Sequence, residues 1–284
     1  MGKGEWYDVR LGKPLPPTNL KSEWFDWFLR EVDEYTVKKG SVALWALGGA
    51  SFILKTSRST IYIDPYCGGS IRAADLGIVY RMIPILFNPS DVRKIDATVA
   101  THEDPDHLNE DFVIPVSENT RSLFIGPPSV ADLLESWKIA EDRIVTLREY
   151  EQKKIGALRI TALPSNDPIP KTANTYLFEV ENVGIFHSGD SLFFEKLAEI
   201  GEKWNIDVAL ISLGVNPPRM KIYNSPCEVV QIARDLKAKI LIPMHWDLWK
   251  FSMEDPYLVE QISKTRKLDM KVIILRVGER FDYP

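Results

Sequence analysis

The stretch Thr101-His102-Glu103-Asp104-Pro105-Asp106-His107 packs two histidines and three carboxylates into seven residues. Imidazoles and carboxylates are the side chains that hold divalent cations. Crowded together at a turn, they are costly unless a cation neutralises them. The stretch therefore reads as half of a metal site, with a charged surface turn as the plainer alternative. The chain has only four histidines. His245 follows the apolar run Ile240-Leu241-Ile242-Pro243-Met244. Asp190 follows the apolar segment 183–187 across Ser188-Gly189, where glycine permits a sharp turn. Asp167 follows another apolar segment, 157–163. Strand ends at one sheet edge can bring such residues together although they are far apart in sequence.

Those side chains need elements to hold them. The segment 97–100, just before the cluster, is apolar and β-branched and reads as a buried strand. Upstream, 42–47, 51–55 and 60–64 read as an antiparallel meander separated by Gly48-Gly49 and Ser57-Arg58-Ser59. Residues 66–94 read as a long, mostly irregular excursion, and long loops in compact domains are usually functional covers near the site. Residues 1–20, rich in Pro and Gly, read as an irregular arm. Trp24, Phe25, Phe28, Leu29 and Val32 form one apolar helix face. Downstream, strands are expected at 122–126, 143–147, 157–163, 174–180, 183–187, 207–213, 240–244 and 271–277. Helices are expected at 129–137, 191–204 and 226–237, with a last one opening at Asp255-Pro256. Ser225, Pro226 and Glu228 form a capping-box start for the third of these. Strands and helices mixed throughout favour two mixed sheets with helices outside over a doubly wound parallel sheet.

Bulk properties narrow the function. A chain of 284 residues fits one large domain or two small ones, and 45% hydrophobic against 26% charged residues is an ordinary globular balance. A net charge of −5 without any basic block argues against nucleic acid as partner. Two cysteines, Cys67 and Cys227, make no disulfide framework, so a reducing cytoplasm is the simpler expectation. The first residues carry no apolar signal segment, and no run approaches the roughly 18 apolar residues of a membrane span. A small-molecule substrate is the remaining partner class, with homo-oligomerisation left open.

THEDPDH also resembles the HxHxDH signature of the metallo-β-lactamase superfamily. The resemblance is closer to the branch of the L-ascorbate-6-phosphate lactonases. It is carried by ALWALGGASFIL near residue 43, DPYCGG at 64–69, IDATVATHEDPDH at 95–107 and FIGP at 124–127. FHSGDS at 186–191, IDVALISLGVNP at 206–217 and IPMHWDLW at 242–249 follow in the family's order. The resemblance implies one α/β domain over 1–284, a four-layer αββα sandwich of two mixed β-sheets with helices on the outer faces. It implies that His102, Asp104 and His107 bind a first metal, Asp106 and His245 a second, and that Asp190 bridges them. Asp167 matches a further acidic ligand position.

The chain departs from the signature at Asp104, where the family has histidine. More oxygen among the ligands favours Mn²⁺, with Mg²⁺, Fe²⁺ or Zn²⁺ as alternatives, in one or two ions. The implied activity is a metal-dependent hydrolase, a lactonase in which metal-generated hydroxide attacks a small, sugar-derived, phosphorylated lactone. Asp106 or Asp190 would orient the water or carry its proton. Asn216 and Arg219 are the candidate substrate contacts, with Lys171, Arg72 and Arg81 as further cations for a phosphate. Trp246 and Trp249 wall the pocket or pack in the core, and His187 packs or hydrogen-bonds near the site. A phosphodiesterase on the same scaffold and a non-catalytic metal-binding protein are the competing expectations.

Overall fold

The computed structural model describes residues 24–73 and 77–284, together with the short strands β1 (Tyr7–Asp8) and β2 (Lys13–Pro14), which pair antiparallel. The arm expected over 1–20 otherwise lies outside the described residues. Helix α1 (Trp24–Glu34) leads into the expected meander, β3 (Val42–Gly48), β4 (Ser51–Lys55) and β5 (Thr60–Ile63), paired antiparallel. The excursion that follows is less irregular than its sequence suggests. It holds a hairpin of β6 (Ser70–Ala73) and β7 (Gly77–Tyr80). Next come β8 (Ala97–Val99), α2 (Glu110–Asn119), β9 (Leu123–Gly126), α3 (Pro128–Ser136) and β10 (Ile144–Thr146).

The second half runs β11 (Gln152–Ile155), β12 (Leu158–Leu163), β13 (Thr175–Val180), β14 (Val183–His187), α4 (Lys196–Lys203) and β15 (Val208–Ser212). It ends with α5 (Pro226–Asp235), β16 (Ile240–Met244), α6 (Tyr257–Thr265), β17 (Lys271–Val272) and β18 (Arg280–Tyr283). Two seven-stranded sheets result, ordered β10-β9-β8-β5-β4-β3-β18 and β11-β12-β13-β14-β15-β16-β17. Both are mixed, parallel at one end and antiparallel at the other.

The layer order is visible in single strands. Side chains of a strand point alternately to its two faces. In β3, Val42, Leu44 and Ala46 face a core shared by the two sheets. Ala43, Trp45 and Leu47 face a second core with Phe28 and Val32 of α1 and Phe112 of α2. In β15, Val208 and Leu210 face the shared core, while Ala209 and Ile211 pack with Leu197 of α4 and Val229 of α5. Helix, sheet, sheet, helix is therefore the sequence of layers, as expected. A strand buried on both faces has no solvent side, which is why these segments read as continuous apolar runs.

The structure adds two elements that the sequence pattern does not announce and alters two that it does, each for a tertiary reason. Helix α2 has Pro115 inside it, a residue that removes a helical donor and hides the pattern; buried Phe112, Val113 and Val116 supply its packing face. Strand β11, Gln-Lys-Lys-Ile, is an edge strand with alternate residues exposed, too polar to announce itself. The helix expected from 191 begins only at Lys196. Asn166 and Asn224 capture the backbone first, through Leu192 N to Asn166 O at 3.2 Å and Phe193 N to Asn224 Oδ1 at 3.0 Å. The run 271–277 stops being a strand after Val272. Leu275 drops into the inter-sheet core, Val277 reaches the outer core beyond the first sheet, and β18 then pairs with β3.

Asp207 ties the two halves together at the end of the sandwich where β15 starts. Its buried carboxylate accepts from Gly184 N at 2.9 Å, Asn205 Nδ2 at 2.8 Å, Lys239 Nζ at 2.6 Å and Tyr283 Oη of β18 at 3.1 Å. Removing this acceptor strands the buried N–H of Gly184 and frees three partly exposed donors, so Asp207→Ala is expected to cost about 1–3 kcal/mol of stability, read from urea unfolding. Tyr283→Phe, which deletes one donor and strands none, is expected to cost less.

Candidate metal centre

The edge that the sequence points to is formed by the C-terminal ends of five strands. β5 and β8 are parallel neighbours, as are β14, β15 and β16, and β12 runs in the direction of β14 through two antiparallel steps. β5 ends at Asp64, β8 opens into 101–107, β12 leads to Asp167, β14 to Asp190 and β16 to His245. The backbone at these ends is held in uncommon conformations. Asp64 has φ +44°, His245 φ +69° and Gly189 φ +51°. Gly189 also lies against Thr101, whose side-chain atoms stand 2.8 Å from where a Cβ would be. His245 is pinned by its backbone N donating to Gly49 O at 2.9 Å.

The structure brings His102, Asp106, His107, Asp190 and His245 to one point. His102, His107 and Asp190 each offer one ligand atom, all within 4.8 Å of one another, and so do Asp106, His107 and His245. His107 Nε2 lies 3.4 Å from Asp190 Oδ2 and 4.0 Å from Asp106 Oδ2. His245 Nε2 lies 3.5 Å from Asp106 Oδ2 and 3.6 Å from Asp190 Oδ1. Asp190 thus stands between two imidazoles. The grouping differs from the one implied by resemblance in three respects: His107 falls in both sets, Asp190 in that of His102 alone, and Asp104 in neither. Asp167 Oδ2 lies 3.8 Å from His102 Nδ1, and its side chain is buried. Asp104 Oδ2 lies 3.7 Å from His102 Nε2 on a partly exposed side chain.

The polar atoms decide whether a cation fits. His102 Nε2, His107 Nε2, Asp167 Oδ2, Asp190 Oδ1 and both ring nitrogens of His245 are buried without a hydrogen-bond partner. Buried polar atoms in folded proteins are nearly always paired. Six orphans on the same cluster of imidazoles and carboxylates are the donor set of a divalent ion, so the residues fit one.

Without an ion, protons do part of that work. Burial opposes charge on Asp106, but His107 and His245 outweigh it and hold the carboxyl down at about 2. The same balance, led by His245 and His107, holds Asp190 well below the usual carboxylate range. Burial likewise opposes charge on His245, yet Asp190 and Asp106 push it up to about 9. Asp190, Asp64 and Asp106 raise His107 well above its ordinary value. Asp167 goes the other way: burial raises it to about 6 despite His102 beside it.

One supporting residue lies outside the sequence reading of the site, and a second, Trp249, does more than wall the pocket or pack in the core. Asp64 is fully buried and accepts from His107 Nδ1 at 2.8 Å and from Thr101 N and Oγ1, both at 2.7 Å. That contact fixes the tautomer of His107 and turns Nε2 towards the other ligands. Its sequence signals are an acid at the end of the apolar strand Thr-Ile-Tyr-Ile and its place at the head of DPYCGG. Trp249 is buried and donates from Nε1 to Asp106 Oδ2 at 3.0 Å.

Other candidates are placed elsewhere. The Asn216 amide is spent on its own loop, accepting from Ile222 N and Tyr223 N and donating to Tyr223 O. Arg219 is exposed, with φ +67°. Arg81 is buried and donates to the carbonyl oxygens of Tyr66, Leu47, Ile83 and Pro84, so it is no phosphate clamp. Lys171 and Arg72 are exposed, and Lys171 meets the cluster's loop through its backbone N, which donates to Glu103 Oε1 at 2.9 Å. His187 bonds Ala50 O at 2.9 Å and Gly189 N at 3.1 Å, a packing role as expected. No helix among the described residues is long and apolar enough to cross a membrane.

Residues 59–246 match the beta-lactamase superfamily domain. A protein described as a probable L-ascorbate-6-phosphate lactonase in Salmonella paratyphi B is 27% identical over 92% of this chain and 86% of its own. Among solved structures, a metallo hydrolase from the archaeon Ignicoccus hospitalis superposes with a TM-score of 0.70 at 18% identity, over 86% of this chain and 99% of that one. An isothiocyanate hydrolase from Delia radicum gut bacteria gives 0.64 at 16% identity, over 84% and 98%.

Asp64→Ala removes the partner of His107 without removing a ligand. It is expected to weaken uptake of a divalent ion about tenfold to a hundredfold, measured by calorimetric titration of chelator-stripped protein. Acidity acts in the same assay, because imidazoles must shed protons to bind an ion. Uptake should strengthen, with proton release, from about pH 6 to about pH 8. The stripped protein should show the opposite trend. The raised value of His245 stabilises the fold below its ordinary 6.5, and that contribution is lost as pH climbs towards about 9. Thermal melting of the stripped protein over that interval checks the sign.

Proposed function

The chain belongs to the beta-lactamase superfamily domain family and is a hydrolase of the metallo-β-lactamase fold, and from that premise we propose that it is a metal-dependent lactonase. Its substrate in this reading is a small sugar-derived lactone, phosphorylated in the manner of L-ascorbate 6-phosphate. The observation that carries it is the pair of overlapping ligand sets sharing His107. The similarity to a probable L-ascorbate-6-phosphate lactonase over most of both chains supports the substrate class.

The ligands in this reading are drawn from His102, His107 and Asp190 in one set and Asp106, His107 and His245 in the other, with Asp167 and Asp104 beside His102; His107 offers only Nε2, its Nδ1 being held by Asp64, so it serves one ion. When bound, divalent ions polarise a carbonyl oxygen and make water a better nucleophile near neutral pH. Counted together, Asp104, Asp106, Asp167 and Asp190 outnumber the three imidazoles, a balance that suits manganese. The protein's own contribution is positioning. Asp190 is partly exposed, so it is placed to orient a water. Asp106, held by Trp249, is the more rigid of the two carboxylates. Arg219 is the cation offered to a phosphate. We place the protein in the cytoplasm, acting on a small molecule and on neither nucleic acid nor membrane.

Protein stripped with chelator and reloaded with Mn²⁺ should open lactones and leave bis(p-nitrophenyl) phosphate largely intact, followed by pH-stat and by nitrophenolate release. Asp190→Ala should lower kcat about a hundredfold or more. Cleavage of the phosphodiester in place of lactones would make the protein a phosphodiesterase. Tight Mn²⁺ binding with neither activity would mark a non-catalytic metal-binding protein, in keeping with the partly exposed Asp104.

A further inference from the structure

The two ligand sets are not supported alike. Asp106 Oδ2, the atom nearest His245 Nε2, is also the atom that Trp249 Nε1 donates to at 3.0 Å. Indole nitrogen is a donor only, so this contact requires an oxygen on Asp106 without a proton. Trp249 is buried, and the Tyr66 ring packs on it with centroids 5.6 Å apart. Leu248 completes this small cluster, on which Ile71 and Val79 of the β6–β7 hairpin pack.

The hairpin is fastened there by Arg81. Its backbone forms an isolated bridge with Trp249, and its guanidinium donates to carbonyls on both sides of the cluster, Tyr66 O at 2.7 Å and Leu47 O at 2.9 Å. Met82 N donates to Leu248 O at 3.0 Å. Gly68 leaves room for the Tyr66 ring; a Cβ there would stand 2.6 Å from its Cε2. On the other side, His102 meets Thr101, Asp104 and Asp167, and none of these belongs to the arch built from 66–83 and 245–249.

The geometry points to Trp249 as a positioning residue for the set built on Asp106. Tyr66, the β6–β7 strands and Arg81, packed against Leu248 and Trp249, fix the indole, and the indole fixes the carboxylate in the orientation that faces His107 and His245. The excursion is thus a brace for the carboxylate of one ligand set, beyond the support that Asp64 gives His107 and Thr101 gives His102. This role rests on the metal-dependent reading above.

Trp249→Phe keeps a ring against Tyr66 and deletes the donor. The test is a calorimetric titration of chelator-stripped protein with Mn²⁺, read alongside the thermal midpoint of the stripped form. The expected result is an affinity loss of about tenfold to a hundredfold in one binding phase, with the other phase and the midpoint little changed. A merely structural tryptophan would lower the midpoint and weaken both phases together, which would overturn the role. So would unchanged Mn²⁺ binding. Gly68→Ala touches no ligand and displaces Tyr66; it should weaken the same phase, and it decides the matter if Trp249→Phe does not fold. If the wild-type protein takes up no Mn²⁺, the metal-dependent reading itself falls, and the brace with it.

Discussion

Charge neutralisation in a water-poor pocket is the constraint on which the rest depends. Asp64, Asp106, Asp167 and Asp190 meet His102, His107 and His245 below the protein surface, with Asp104 at the rim. Isolated ions in such surroundings are expensive, and the cluster copes by placing each imidazole against at least one carboxylate. Even with all three imidazoles protonated, five carboxylates leave an excess of negative charge. The remaining positive charge is what a divalent cation provides. Protons and metal ions are thus competitors for the same atoms.

Such a cluster survives only if the backbone around it cannot relax. Five strand ends converge on it, and hydrogen bonds knit the loops after them into one body. Asn166 N donates to Ser191 Oγ at 2.9 Å, and Asn224 Nδ2 donates to Ser191 O at 3.0 Å and Ser212 O at 3.2 Å. Thr101 O accepts from Asn174 N at 3.0 Å, linking the first sheet to the second directly beneath the ligands. The left-handed backbone at Asp64 and His245 costs of order 1 kcal/mol at each and persists because packing on both sides over-determines it. In both cases it falls where a strand must release its chain abruptly and still aim a side chain back over the sheet edge.

The scaffold leaves the choice of chemistry to its loops, as shared folds generally do. Here the loop after β8 carries Asp104 on the solvent side of His102. The loop after β16 carries Trp249 under Asp106, and the 66–83 segment reaches across to hold that tryptophan. The set with Asp106 is enclosed and braced, while the set with Asp190 is more open.

The sequence determined more than the positions of its ligands. Apolar runs marked most strands because burial on both faces leaves no solvent side to interrupt them, and Ser225-Pro226 with Glu228 marked the start of α5 because capping is local chemistry. His102, Asp106, His107, Asp190 and His245 stood out because imidazoles and acids at strand ends are rare without a purpose. What neighbours in space decide was out of reach. Asp64 looked like the end of a meander, Trp249 like a wall or core residue, Arg81 like a candidate phosphate ligand and Asn216 like a substrate contact. Each is defined by partners 2 to 143 residues away, through His107, Asp106, four carbonyls or a folded-back loop. A chain read in one dimension shows which groups could bind; only packing in three dimensions fixes which hydrogen bonds they have already spent.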